Sequence, residues 1–178
     1  MSFTLHHETI WKAGQLFFNM IKVSILCVGK LKESYWRSAC SEYEKRLSPF
    51  CKFTIHEISE CRLPENPSEA QIAIALDKEG SALLSSAKGS SILALCIEGK
   101  VLSSVQLSQK IEDYAVHGCG ALSFLIGSSF GLSNEVKQKA DLKLSMSAMT
   151  FPHQLARVML CEQIYRSFEI IHHGKYHK

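Results

Sequence analysis

Short apolar segments alternate with stretches of helical periodicity along this chain, and this alternation constrains the fold more than any other feature of the sequence. Segments 92–97 and 121–126 are apolar at nearly every position, which is typical of parallel strands that helices cover on both faces. Strands are predicted over 22–28, 53–58, 92–97, 121–126 and 142–144, and helices over 33–47, 69–87, 104–117, 133–140 and 152–171. The sequence therefore predicts an α/β fold with a mainly parallel sheet and helices on both faces, in one domain spanning residues 20–178.

Three local signals add detail to this outline. Gly99-Lys100 follows the third strand and is expected to turn the chain away from the sheet. Asp77-Lys78-Glu79-Gly80 is expected to be a polar interruption in the second helix. Ser133 is predicted to be the N-cap of the fourth helix, because its hydroxyl can accept a hydrogen bond from an amide of the first turn.

The first nineteen residues differ from the rest of the chain. They lack the basic start, apolar centre and small-residue cleavage site of a signal peptide. At Met20 the sequence changes abruptly to an apolar strand, so we expect Met20 to be the natural start and residues 1–19 to be an extension created by start-site assignment. The alternative is a short amphipathic helix that uses Ile10, Trp11, Phe17 and Phe18.

Composition excludes several classes of protein. With 46% hydrophobic and 21% charged residues over 178 positions, the chain is neither disordered nor fibrous, and no apolar run approaches the roughly 18 residues of a membrane span. Seven cysteines without a CxxC pair argue against a zinc ribbon or a disulfide framework and favour a reducing cytoplasm. Because the net charge is only +3, any RNA contact must come from a local patch.

Three loops are candidates for ligand binding, because ligands bind at the carboxyl ends of the strands in open α/β sheets. They are Glu98 to Lys100, Gly127 to Gly131, and Met146 to Pro152. The two glycines of the second loop permit close approach of a ligand to the backbone, and the third loop is rich in Met and small residues. A tight turn and a buried connection are the alternative interpretations of these two loops.

The last predicted helix is apolar nearly all round, which indicates that its own domain buries one side and that a second copy of the chain buries the other. Glu162 and Arg166 are expected to form a salt bridge on this surface. The tail from His172 to Lys178 is basic and aromatic, and it is either a frayed terminus or a segment that reaches RNA phosphates and stacks on a base. Three tail histidines without a carboxylate do not predict a metal site.

Several motifs carry a family resemblance. The most specific are Met149-Thr150-Phe151-Pro152-His153-Gln154-Leu155-Ala156-Arg157-Val158, Glu162-Gln163-Ile164-Tyr165-Arg166 and the ending Tyr176-His177-Lys178. Others are Val28 to Glu33, Tyr43 to Leu47, Asp77 to Gly80, and Ile126 to Leu132. With these motifs in order from Met20 onward, the chain resembles the ribosomal RNA large subunit methyltransferase H family, the 23S rRNA pseudouridine N3-methyltransferases.

The resemblance implies a SPOUT-type fold with a C-terminal trefoil knot, a homodimer, and S-adenosyl-L-methionine as cofactor. The family's cofactor site corresponds here to Leu95, Gly127, Met146, Ser147, Ala148, Met149, Thr150 and Phe151. The family usually has a second glycine where this chain has Ser128, and a serine fits there if its φ is negative.

The resemblance also implies the reaction and its substrate, which is a pseudouridine in the RNA of assembled 50S or 70S particles, without membrane or metal. The N3 proton must leave before the nitrogen can attack a methyl group, so a general base or a cation that stabilises the imide anion is expected. The candidates are His153, Arg157, Tyr176 and His177. We expect Tyr176 and His177 of one protomer to complete the pocket of the other, Arg157 to place phosphate or base, and His153 to be structural.

Other functions make different demands on the sequence. A dinucleotide-dependent oxidoreductase needs a glycine fingerprint after the first strand, and Val28-Gly29-Lys30-Leu31 does not supply one. A structural dimer without a ligand is disfavoured by three loops that converge on one sheet edge. A non-catalytic RNA-binding or ribosome-assembly dimer is the main alternative.

Overall fold

The computed structural model describes residues 21–117 and 120–176, and over these residues five parallel strands form one sheet in the order β2-β1-β4-β3-β5. The strands are β1 (Lys22–Val28), β2 (Lys52–Ile58), β3 (Ser91–Val101), β4 (Ala121–Ile126) and β5 (Leu142–Ser145). The helices are α1 (Ser34–Leu47), α2 (Glu69–Ser86), α3 (Ser104–His117), α4 (Asn134–Lys139) and α5 (His153–Ile171). The predicted extension, residues 1–19, lies outside the described residues.

Helices cover both faces of the sheet, as predicted. Val23, Ile25 and Phe124 are fully buried on the face that packs against α1, α3 and α5. Leu26 and Leu125 point the opposite way and pack against α2 and α4. Because neighbouring residues are both buried over Ile25 to Val28 of β1 and over Leu122 to Ile126 of β4, these stretches have no solvent-facing side, which explains their mostly apolar sequence. The predicted α/β class is confirmed, and the trefoil knot stays a prediction.

The third strand is longer than predicted, because Gly99-Lys100 does not turn out of the sheet. Strand β3 continues to Val101, and its pairing with β5 skips from Leu95 to Lys100 across a bulge. A Cβ on Gly99 would lie 2.6 Å from the backbone carbon of Leu144, so only glycine lets the bulged chain pass this close to β5.

The second helix is continuous through the segment expected to be a polar interruption. Glu79 and Gly80 are buried inside α2 rather than exposed on it. A side chain on Gly80 would clash with Ser133, so the glycine lets α2 pack closely against the start of α4. Ser133 is the N-cap of α4, as predicted, and its hydroxyl accepts a hydrogen bond from the Val136 amide at 3.3 Å.

No helix within the described residues is both long and apolar enough to span a bilayer.

Candidate active site at the carboxyl ends of β3, β4 and β5

A cavity of about 700 Å³ opens where β3, β4 and β5 end, and all three predicted ligand loops contribute to it. Its volume lies within the range of about 300–1,000 Å³ typical of small-molecule sites. Seven of the eight residues predicted to bind a cofactor line it: Leu95, Gly127, Met146, Ser147, Met149, Thr150 and Phe151. The eighth, Ala148, belongs to the same loop but is not in the wall.

The loop after β4 folds back on itself, which brings its backbone to the cavity surface. The Gly131 amide donates a hydrogen bond to the Ser128 carbonyl at 2.9 Å, and Gly131 has a φ of +88°. A Cβ on Gly127 would clash with the Gly131 carbonyl. Both glycines are therefore required by the turn. Among the described residues only His173 combines a side chain with a positive φ, so Ser128 meets the condition under which a serine fits this position.

The bulge in β3 forms the opposite wall and carries an ion pair that sequence analysis missed. The Lys137 ammonium of α4 lies 2.7 Å from Glu98 of the bulge, and both residues line the cavity. The hydrogen bond from Lys137 lowers the pKa of the Glu98 carboxyl. No sequence pattern links the two residues, because their contact depends on the bulge.

Hydrogen bonds within the loop after β5 hold it in a compact form. The Ser145 hydroxyl donates to the Ser147 carbonyl at 3.0 Å, and the Ser147 hydroxyl accepts from the Met149 amide at 3.0 Å. These local bonds leave an apolar surface of Met and Phe side chains facing the cavity. Such a surface suits a ligand with an apolar ring and a sulfur atom.

Two of the predicted catalytic residues lie at the start of α5 in different environments. His153 lines the cavity, whereas Arg157 is buried with 1% exposure. The Arg157 guanidinium donates to a Glu57 carboxylate oxygen at 2.7 Å and to the Gly29 carbonyl at 2.9 Å. The same Glu57 oxygen accepts from the Leu31 amide at 2.9 Å. The structure thus does not bring Arg157 to the cavity wall; its guanidinium ties α5 to the loop after β1.

Tyr176 follows α5 in the chain but folds back over the second half of the helix, where its hydroxyl lies 3.4 Å from a Glu162 carboxylate oxygen. Its ring packs edge-on against Tyr165 at 5.0 Å between centroids, and the Arg166 guanidinium lies over it at 4.7 Å. The expected salt bridge is present, with Arg166 to Glu162 at 2.6 Å. Tyr176 therefore does not reach the cavity of its own chain. His177 lies outside the described residues.

Comparison with known proteins agrees with this geometry. A family model described as "Predicted SPOUT methyltransferase" matches residues 21–177. The chain is also 46% identical to the ribosomal RNA large subunit methyltransferase H of Clostridioides difficile over 159 residues, which make up 89% of this chain and 100% of the relative. The chain belongs to the SPOUT methyltransferase family.

Solved structures of other proteins share this fold. A probable methyltransferase from Bordetella pertussis covers 88% of this chain and 99% of its own, with a TM-score of 0.56 at 13% identity. A probable methylase family protein from Haemophilus influenzae covers 90% of this chain and 71% of its own, with a TM-score of 0.52 at 12% identity. At such low identity these likenesses concern the fold alone.

Sequence analysis did not name three further side chains that line the cavity of this SPOUT methyltransferase. Ile97 lies in β3, Phe130 in the loop after β4, and Gln154 in the first turn of α5. The available signal was position, since Phe130 lies within a predicted ligand loop and the other two lie next to or near one. No group of three or more metal-ligating side chains occurs in the described part of the chain.

Proposed function

We propose that this protein is an S-adenosyl-L-methionine-dependent methyltransferase that acts on N3 of a pseudouridine in the large-subunit ribosomal RNA of assembled ribosomes. The observation that carries the proposal is the cavity at the ends of β3, β4 and β5, which gathers seven of the residues that correspond to the family's cofactor site. The relative from Clostridioides difficile, at 46% identity over its whole length, supports the RNA substrate.

The cavity suits the cofactor in shape and chemistry. Met146, Met149 and Phe151 provide an apolar wall, while Gly127 and Gly131 of the loop after β4 add backbone to the lining. When bound, S-adenosyl-L-methionine supplies a methyl group that is already reactive towards a nucleophile. The chain's main task is therefore to align the target nitrogen with that methyl carbon and to exclude water.

Residues that handle the N3 proton come from two protomers in this proposal. His153 lies in the cavity wall, but Tyr176 packs over the second half of α5 in the same chain and does not line the cavity. A second copy that packs antiparallel along α5 across a two-fold axis brings its Tyr176 and His177 to this cavity. The half-buried apolar residues along α5 support such a homodimer, since a monomer leaves them exposed to water. There the imidazole of His177 accepts the N3 proton while the Tyr176 hydroxyl orients the base.

The test is transfer of labelled methyl groups from S-adenosyl-L-methionine to 50S and 70S particles that lack the modification, followed by mapping of the labelled nucleotide. Label at N3 of one pseudouridine of the large-subunit RNA is the expected result. Label at another nucleotide contradicts the proposed substrate. Cofactor binding without label on either particle contradicts the assembled-ribosome substrate, and neither binding nor label favours the non-catalytic ribosome-assembly alternative.

A further inference from the structure

A second cavity of about 330 Å³ adjoins the cofactor cavity and has no part in the function proposed so far. It lies between α2 and the loop that follows β2. Ser128 and Phe130 line both cavities, so the two meet at the loop after β4. Phe130 is 46% exposed, which places an aromatic ring at the junction where a nucleobase could stack on it.

The wall of the second cavity contains a buried carboxylate that is only half satisfied. Glu79 is 4% exposed, and its Oε1 accepts a hydrogen bond from the Cys61 amide at 2.7 Å. Its Oε2 is also buried and has no hydrogen-bond partner among the described residues. A buried carboxylate oxygen without a partner is costly, so a site that retains one calls for a donor from outside the chain.

The position of Glu79 relative to the cofactor cavity is set by close packing on both sides. The adjacent Gly80 allows α2 to contact Ser133, which directly follows the loop that lines the cofactor cavity. On the other side, the bond to the Cys61 amide holds the loop after β2 against α2. These contacts fix Glu79 in the wall of the second cavity, which adjoins the cofactor cavity at Ser128 and Phe130.

The chemistry of the proposed target supplies the missing donor. Pseudouridine carries two imino groups, N1–H and N3–H, on either side of the C2 carbonyl, whereas uridine presents a carbon-bound hydrogen where pseudouridine has N1–H. We propose that Glu79 Oε2 accepts a hydrogen bond from N1–H of the target base while N3 faces the methyl donor. Glu79 then selects pseudouridine over uridine. This inference rests on the proposed function and names the residue that determines its specificity.

The test uses Glu79→Gln, which retains the shape of the side chain. The glutamine oxygen keeps the bond to the Cys61 amide, so the NH₂ group takes the place of Oε2 and opposes N1–H. We expect single-turnover methylation of pseudouridine-containing ribosomes to fall about 10- to 100-fold, the loss expected for one charge-assisted hydrogen bond. Methylation of ribosomes with uridine at the same position should be unchanged, since uridine offers nothing for Oε2 to accept.

A matched control is Glu65→Gln, which removes the same charge from an exposed side chain in the wall of the same cavity. We expect Glu65→Gln to retain the wild-type preference for pseudouridine. The thermal midpoint and the affinity for S-adenosylhomocysteine, measured on all three proteins, report whether folding and the cofactor site are intact.

Different outcomes separate the inference from the proposed function. If Glu79→Gln slows methylation of both ribosome substrates by the same factor, or slows neither, the preference for pseudouridine does not depend on Glu79. The inference is then wrong, while the proposed function stands. If wild-type enzyme methylates no nucleotide on either ribosome, the proposed function fails first and the inference fails with it. A cycle that combines the Glu79→Gln substitution with the change from pseudouridine to uridine measures the coupling free energy between Glu79 and N1–H. Additive effects on the methylation rate mean that this coupling is absent and contradict the inference.

Discussion

The two ends of α5 make a contrast within one helix. Its first turn forms part of the cavity wall, where His153 stands beside loops that glycines hold in tight turns. Its last turns carry an aromatic cluster in which Arg166 and Tyr165 hold Tyr176. The cavity takes its lining from residues of one chain, whereas Tyr176 packs over the second half of α5 and does not line that cavity. The contrast is the reason why the proposed function assigns Tyr176 to the cavity of a second copy.

The largest effect is expected at the cavity end from Gly127→Ala. The added methyl group meets a backbone carbonyl, which no rotamer change can relieve, so affinity for S-adenosylhomocysteine should fall about 100-fold or more. Isothermal titration measures this loss. The control is Gly89→Ala, which makes the same substitution where the added methyl group meets open space. Gly89→Ala should bind the cofactor product like wild type, and unchanged binding by Gly127→Ala contradicts the assignment of the turn from Gly127 to Gly131 to the cofactor site.

Mixed dimers test whether the tail end acts on another copy. A chain with Gly127→Ala has no working cavity, and a chain with Tyr176→Ala and His177→Ala has no working tail. Each alone should be inactive towards ribosomes. An equal mixture, unfolded and refolded together, should regain about a quarter of wild-type methylation, because half of the dimers are mixed and each has one complete site. A mixture that stays inactive shows that cavity and tail act within one chain.

Substitution of Arg157 distinguishes a structural role of this residue from a role in RNA binding. Arg157→Met removes hydrogen bonds to Glu57 and to the Gly29 carbonyl, so the free energy of unfolding should fall by about 2–3 kcal/mol, discounted because Glu57 is partly exposed. Urea denaturation measures the loss. Lys110→Met, which breaks an exposed pair with Asp113, should leave the midpoint unchanged. If Arg157→Met instead has normal stability and a raised KM for ribosomes, the result supports a role of Arg157 in placing phosphate.

The smallest effects are expected in the reactivity of the cysteine thiols. Burial raises the pKa of Cys96 in the cofactor cavity, and it raises the pKa of Cys27 and of Cys51 to about 12. Iodoacetamide reacts with the thiolate form of cysteine. At pH 8 it should label the half-exposed Cys61 first, Cys96 more slowly, and the buried Cys27 and Cys51 only after unfolding. A higher pH should speed labelling of Cys96.

Bound S-adenosylhomocysteine should slow labelling of Cys96 several-fold and leave Cys61 unaffected, because Cys61 lines only the second cavity. Mass spectrometry of tryptic peptides follows both sites in one sample. Equal protection of the two thiols contradicts the assignment of the cofactor to the larger cavity.

Local signals predicted much of the fold. The periodicity of the apolar residues located every helix and strand to within a few residues, and Pro152 and Ser133 marked helix starts at the right positions. The turn predicted at Gly99 was wrong, because a glycine that permits a bulge looks the same in the sequence as one that permits a turn. A residue preference describes what a backbone can do locally, and the neighbouring strand decides which conformation it adopts.

The candidate site was predicted where it depended on loop position and missed where it depended on distant partners. Gly127 and the loop after β5 follow strands, so the rule for parallel sheets located them. Glu98 and Lys137 meet only because the bulge in β3 turns towards α4. Arg157 and Glu57 stand 100 residues apart, and an arginine in an apolar helix gives no sign of whether it binds a phosphate or a carboxylate of its own chain.

The class of fold, the edge of the sheet at which the cavity opens and the family resemblance could all be predicted from the sequence, because these depend on periodicity and motifs along the chain. Only the folded chain shows that Arg157 is buried, that Tyr176 packs on α5 outside the cavity wall, and that Glu79 has an oxygen without a partner among the described residues. Burial and hydrogen-bond satisfaction are properties of three-dimensional neighbours. Residues far apart in sequence create them, so no local pattern encodes them.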